Sequence, residues 1–205
     1  MWLQWLQDNE ETDGIILIGH PGTGKSAVAK AARNAAGIPG IQLDVNGMLD
    51  SKVGASGANT RGAFRVVDAI SGGKTLVLAT CNSIEALSPE LKRRFTLGTF
   101  FVDLPTVEGR NAMWGYYADK YDVAMVHSFS DEGWTGAEIK QCCRLAKKLR
   151  CDLDKASTFI VPVCRSSAER IEQLRGQASG KYVNAARPGV YQKSVSASAG
   201  RKFDL

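Results

Sequence analysis

Gly14-Ile15-Ile16-Leu17-Ile18-Gly19-His20-Pro21-Gly22-Thr23-Gly24-Lys25-Ser26 is the stretch that decides the fold of this 205-residue chain. Its first five residues form an apolar, β-branched run, which predicts a strand buried on both faces, as in a parallel sheet. Gly19 to Ser26 then has the spacing G-x-x-x-x-G-K-S. Glycines in such a loop let backbone N–H groups turn inward around phosphate oxygens, where a Cβ would block them. Lys25 supplies a positive charge for the β- and γ-phosphates, and the Ser26 hydroxyl is a ligand for Mg2+. Helix formers from Ala27 to Ala36 follow, closed by Gly37. A helix starting near Lys25 aims the positive end of its dipole at the same anion. Strand, glycine loop and helix in that order predict a P-loop for a nucleoside triphosphate, ATP, touched by Gly19, Pro21, Gly22, Thr23, Gly24, Lys25, Ser26 and Ala27. The alternative is a chance match in a glycine-containing loop, and the flanking strand and helix argue against it.

Further strands are predicted at Ile41–Val45, Thr75–Cys81 and Thr99–Leu104. Between them, Asn59 to Ile70 places Ala63, Phe64, Val67 and Ile70 at helical spacing. Strands alternating with helices predict an α/β fold with a parallel sheet flanked by helices. From about residue 106 the pattern turns helical, over Thr106–Tyr121, Asp152–Ile160 and Ser167–Ala178. Thr135-Gly136-Ala137-Glu138 has capping-box spacing and opens a helix running to about Leu149. The stretch from Ser194 to Leu205 is small and polar, as mobile tails are.

A hydrophobic fraction of 44% and a charged fraction of 23% are those of an ordinary globular protein. No run reaches the roughly 18 apolar residues of a membrane span, and no cleavage-site pattern follows the N-terminal Trp2, Leu3, Trp5 and Leu6. The five cysteines, at 81, 142, 143, 151 and 164, contain no C-x-x-C pair. A cytoplasmic protein with reduced thiols is therefore expected, with no zinc site and no membrane partner. Charge is uneven along the chain. Residues 1–139 carry 12 Lys/Arg against 16 Asp/Glu, net −4, whereas residues 140–205 carry 14 against 5, net +9. The basic last third suits a polyanion, an acidic neighbouring subunit, or a solvated helical surface.

Several motifs beyond the P-loop resemble those of AAA+ ATPases, and they occur in that family's order. Leu76-Val77-Leu78-Ala79-Thr80-Cys81-Asn82 is similar to the strand that ends in the sensor-1 asparagine. Leu87-Ser88-Pro89-Glu90-Leu91-Lys92-Arg93-Arg94-Phe95 resembles the segment that carries arginine fingers. Phe101-Val102-Asp103-Leu104-Pro105, with Glu108 and Arg110, is similar to the strand and turn leading into the helical lid, and Thr135-Gly136-Ala137-Glu138-Ile139 resembles the sensor-2 region. Val53-Gly54-Ala55-Ser56 with Asn59 and Arg61 resembles the stretch after the pore loop. Within the family, the small ATPases of bacteriophages and mobile elements are the nearest in flavour.

The resemblance implies an ATP-binding core over residues 1–105, a helical lid and C-terminal extension over 106–193, and a flexible tail over 194–205. It implies ATP and Mg2+ as cofactors, with Lys25 and Ser26 on phosphate and metal and Asn82 positioning the attacking water. Arg93 and Arg94 would reach a neighbour's site in a homo-oligomeric ring or spiral, and the client would be protein or nucleic acid. The plainer alternatives are a strand-end cap for Asn82 and a solvated basic turn for the two arginines.

One departure bears on chemistry. The family places a strand of four apolar residues ending in Asp-Glu before the sensor-1 strand, and this sequence offers no such run. The topology tolerates that loss if the sensor-1 strand sits directly between the first and second strands. The chemistry then needs another acid, for which Asp44 and Glu85 are the candidates and Asp68 a weaker one. A nucleotide-gated assembly or nucleic-acid-binding module with slow or no hydrolysis is the competing expectation, the latter through Lys140, Arg144, Lys147, Lys148 and Arg150, neighbours at i, i+3 and i, i+4 along one helix. Lys52 stands where the pore loop often carries an aromatic residue. His20 is expected to face solvent, and residues 159–191 to form a lid extension packed between subunits.

Overall fold

The computed structural model describes residues 14–37, 40–45, 62, 66, 69, 76–85, 87, 89–93 and 95–193. Trp2, Trp5, Lys52, the 53–61 motif, Asp68, Arg94 and the 194–205 tail therefore lie outside the described residues. Of the helix expected over 59–70, Gly62, Val66 and Ala69 are described, and all three are helical and exposed.

In chain order the elements are β1 (Gly14–Gly19), α1 (Lys25–Ala36), β2 (Gly40–Asp44), β3 (Leu76–Cys81), α2 (Pro89–Arg93) and β4 (Gly98–Val102). They continue with α3 (Val107–Tyr121), α4 (Gly136–Leu149), α5 (Leu153–Ser157), α6 (Val163–Ser166), α7 (Ala168–Ala178) and β5 (Val183–Asn184). The five strands make one parallel sheet in the order β2-β3-β1-β4-β5. β3 lies directly between β1 and β2, with Ile16 opposite Ala79 on one side and Leu43 opposite Ala79 on the other.

All six residues of β1 and all six of β3 are buried, as central strands covered on both faces must be. Period-two alternation sends Ile15 and Leu17 to one face, with Leu76, Leu78, Phe100, Val102 and the α1 residue Ala29. Ile16 and Ile18 point to the other, with Val77, Ala79, Cys81 and Phe101. Each of these aliphatic side chains contributes about 1.5–3 kcal/mol by burial.

The second face is covered by the C-terminal extension, whose residues 168–193 return to the sheet of their own chain. Leu174 and Ala178 of α7, together with Tyr182 and Tyr191, are buried on Ile16, Ile18 and Phe101. β5 then adds itself beside β4, pairing Val183 with Phe100 and Asn184 with Phe101. The physical reason is that the second face is apolar and this amphipathic segment fits it. Asp103 fastens the arrangement by accepting from Arg175 Nε at 2.8 Å and from the Tyr191 hydroxyl at 2.7 Å.

The helices after β4 build a separate core. Trp114 of α3, Ile139, Cys142, Cys143 and Ala146 of α4, and Leu153 and Ala156 of α5 are buried together with Trp134. α3 begins at Thr106, whose hydroxyl caps the Gly109 N–H, and α5 begins at Asp152, which caps Lys155. His127, which sequence left without a role, stacks on Trp114 at 4.8 Å and on Phe129 at 4.5 Å, as part of this core.

Candidate functional site

The loop between β1 and α1 wraps around its own lysine. Gly19 lies so close to β4 that an added Cβ would stand 2.1 Å from the Val102 carbonyl oxygen. Gly22 and Gly24 have φ of 85° and 91°, in the left-handed region that glycine occupies without strain. The Thr23 hydroxyl donates to the His20 carbonyl at 2.9 Å and pins the turn. Lys25 folds back into the loop, its Nζ donating to the Gly19 carbonyl at 2.8 Å and the His20 carbonyl at 2.9 Å. Burial pushes the Lys25 ammonium down to about 8, opposed by Cys81 and Asp44, which favour its charged form. His20 is buried rather than facing solvent, and its Nδ1 sits 2.9 Å from the Pro21 carbonyl.

An open cleft of about 890 Å³ lies over this loop. Its floor is Pro21, Gly22, Gly24, Lys25, Ser26 and Ala27, so six of the eight expected nucleotide contacts line it directly. Gly19 and Thr23 stand behind, holding the loop's shape. Thr80 and Asn82, at the C-terminal end of β3, and Asp44, at the end of β2, face the same space. Strand ends at a point where chain order reverses are where open α/β sheets place ligands.

The roof comes from the lid helices. α3 contributes Gly109, Ala112, Met113, Tyr116 and Tyr117, and α4 contributes Gly136, Ala137 and Lys140. α4 touches the phosphate loop itself, because Ala137 N–H donates to the Gly22 carbonyl at 3.3 Å. The start of α4 is held by its capping box: Glu138 accepts from Thr135 N–H at 2.6 Å and from the Thr135 hydroxyl at 2.9 Å. The same buried carboxylate also accepts from Val163 N–H at the start of α6.

The α3 wall was missed by sequence reasoning, although the signal was present. Residues 109, 112, 113, 116 and 117 follow i, i+3, i+4, i+7, i+8, one face of a helix. That face was unremarkable as sequence because its residues are small or amphipathic rather than uniformly apolar.

The remaining candidates divide between the cleft and the surface. Arg93 is exposed at the end of α2 and does not line the cleft of its own chain. Its neighbour Lys92 donates to the Tyr182 hydroxyl at 3.1 Å and lies over that ring, tying α2 to the C-terminal extension. Of the two candidate acids, Asp44 faces Lys25 across the cleft, whereas exposed Glu85 accepts from Gln177 of α7 at 3.4 Å.

Comparison with known proteins agrees with this geometry. The profile of the family described as "ATPase family associated with various cellular activities (AAA)" matches residues 15–71. Among solved structures, the AAA domain of FIGL-1 superimposes with a TM-score of 0.53 at 16% identity, covering 81% of this chain and 77% of that one. The fold is that of an AAA domain. Among curated proteins, the AAA domain-containing protein ycf46 of Guillardia theta is 25% identical over 230 residues, covering 84% of this chain and 45% of that protein. The ATP-dependent zinc metalloprotease FtsH of Rhodothermus marinus is 38% identical over 52 residues, covering 25% of this chain and 8% of that protein. The chain thus spans less than half the length of these curated relatives. No helix among the described residues is long and apolar enough to cross a membrane.

Proposed function

We propose that this chain binds Mg·ATP in the cleft between the Gly19–Ser26 loop and the lid helices, and hydrolyses it as an AAA+ ATPase in a ring or spiral. The observation that carries this reading is the joint arrangement of buried Lys25, the α4 start resting on Gly22, and Asn82 and Asp44 facing the same cleft. Lys25 holds the β- and γ-phosphates, Ser26 ligates Mg2+, and Asn82 positions water. Met113 and Tyr117 offer the base a partly apolar wall. Arg93, exposed on α2, and Arg94 serve a neighbouring subunit's site, the role an arginine finger plays. In this reading residues 1–105 are the nucleotide core and 106–193 the lid and extension, the latter returning to the core. A cytoplasmic protein of the small bacteriophage or mobile-element type, with a protein or nucleic-acid client, completes it.

A second reading has its own support, namely ATP as an assembly signal with little or no turnover. The family's Asp-Glu strand has no counterpart in the sequence, and the sheet joins β3 directly to β2. The alignment with the Guillardia ycf46 protein also runs over 230 residues, more than the 205 of this chain, so it contains gaps on this side. Asp44 is the acid that allows the first reading to stand. Steady-state hydrolysis measured beside calorimetric Mg·ATP binding separates the two. Turnover supports the ATPase, binding alone supports the assembly module, and no binding to the wild-type chain refutes both.

A further inference from the structure

Beyond Ala137 and Lys140, which line the cleft, the solvent-facing side of α4 is a surface that the nucleotide reading leaves unused. At 100° per residue the helix buries Gly136, Glu138, Ile139, Cys142, Cys143 and Ala146 on one side. The opposite arc contains Ala137, Lys140, Gln141, Arg144, Lys147 and Lys148, all exposed. It holds four cations and no acid, because the helix's one carboxylate, Glu138, is turned inward to cap its own start. Lys147 is engaged by Asp122 at 2.7 Å. Lys140, Arg144 and Lys148 have no ion-pair partner among the described residues, and they follow one another at i, i+4 and i+8.

We infer that this row is a docking surface for a nucleic-acid backbone. From Lys140 to Lys148 the helix rises about 12 Å, the axial length of three or four phosphates at about 3.4 Å each along one strand. A row of cations without an acidic partner among the described residues complements a line of phosphates. A lipid surface fits less well, since a membrane-lying helix needs an apolar flank beside its basic face. The apolar side of α4 is already committed to the lid core, against Trp114 and Leu153. The row also starts at the nucleotide cleft, which Lys140 lines, on a helix whose first turn rests on the phosphate loop. A strand held there lies next to the element that a bound triphosphate contacts. The inference itself does not depend on nucleotide binding.

The test is fluorescence anisotropy of labelled 20-nucleotide DNA, single-stranded and duplex, with the full chain between 50 and 300 mM salt. Affinity should fall linearly on a log–log plot, with about 0.7 to 0.9 of slope per phosphate contacted. Arg144→Ala with Lys148→Ala should lower the slope by about two and weaken binding alike for unrelated sequences. Lys181→Ala, an exposed cation elsewhere, should change neither. No binding at 50 mM salt, or an unchanged slope in the double variant, overturns the proposal. So does tighter binding to phosphatidylserine vesicles than to DNA. If the double variant instead alters only the oligomeric state in sedimentation, the face belongs between copies of this chain and the proposal fails.

Discussion

The backbone N–H of Ala137 donates to the carbonyl of Gly22 at 3.3 Å, so the first turn of the lid helix α4 rests on the phosphate loop. The contact is close: an added Cβ at Gly22 would stand 3.0 Å from the Thr135 hydroxyl. Whatever orders the start of α4 therefore also shapes the Gly19–Ser26 loop. That start depends on Glu138, which joins Thr135 to the first residue of α6.

Glu138→Ala should accordingly weaken both fold and site. It removes the cap of α4 and leaves the Thr135 and Val163 N–H groups without their acceptor, at a cost of about 2–3 kcal/mol. For a chain of this size that is a fall of roughly 4–12 °C in melting temperature. Glu138→Gln keeps an acceptor and should lose less. Thermal melts beside ATP titrations check the pair, and an equal loss in both variants would count against the capping role.

Lys25 gives a pH signature. Its ammonium is held at about 8 in the protein alone, and phosphate oxygens favour the charged form, so the bound state carries the higher value. ATP binding should therefore take up a proton above pH 8. Affinity should be full below that pH and fall about tenfold per unit above it. The stability of the protein alone moves the other way. The unfolded chain binds the extra proton between about 8 and the ordinary 10.5, so stability rises with pH across that window. Calorimetry in buffers of different ionisation heat reads the uptake. Lys25→Met should abolish the uptake together with ATP binding, and should flatten the pH dependence of stability.

The two candidate acids separate by geometry. Asp44 faces the cleft and Glu85 turns to Gln177. If the chain hydrolyses ATP, Asp44→Asn should lower kcat by about a hundredfold to ten-thousandfold, the usual range for a lost general base. Binding should change little, and Glu85→Gln should leave kcat within about twofold. Equal losses in the two variants would remove Asp44 from the mechanism.

The loop glycines should differ in what they tolerate. Gly19→Ala drives a Cβ into the Val102 carbonyl, which belongs to a strand backbone and cannot step aside. A loss of about 3 kcal/mol or more is expected. A Cβ at Gly24 meets no atom within 4 Å, so Gly24→Ala bears only the left-handed backbone cost of about 1–2 kcal/mol. Denaturant titration of the two variants gives the ordering.

Much of this was legible in sequence because the decisive signals are local. Ile15 to Ile18 with the loop that follows places strand, turn and helix within about twenty residues, and Thr135 with Glu138 marks a helix start by spacing alone. The position of β3 between β1 and β2 is the one that the sequence allowed through right-handed crossovers. The rest required distance in space. Neither Tyr116 nor Tyr117 announces a cleft, because a mixed helix face says only that it is half covered. The destination of Leu174, Tyr182 and Tyr191 depends on which apolar surface is still bare after the other elements have packed. Sequence offered two such surfaces, lid and sheet, and no local rule to choose between them. His20 was misjudged for a related reason: a polar ring inside a loop reads as solvated until the loop is seen to close over it.

The return of residues 168–193 to the sheet has a consequence for how the protein is made. Phe101 and Tyr191 have ring centroids 4.4 Å apart although 90 residues separate them in the chain. Ile16, Ile18 and Phe101 leave the ribosome long before Leu174, Tyr182 and Tyr191, so one face of the sheet, flanked by Val45, Leu87 and Phe95, waits only partly covered while residues 106–167 are synthesised. Contacts so far apart in sequence form late and slowly, and an exposed apolar face during that interval favours aggregation. A nascent chain therefore carries its whole Gly19–Ser26 loop well before the sheet that supports it is closed, and α7 and β5, emerging later, complete the core around the first strand.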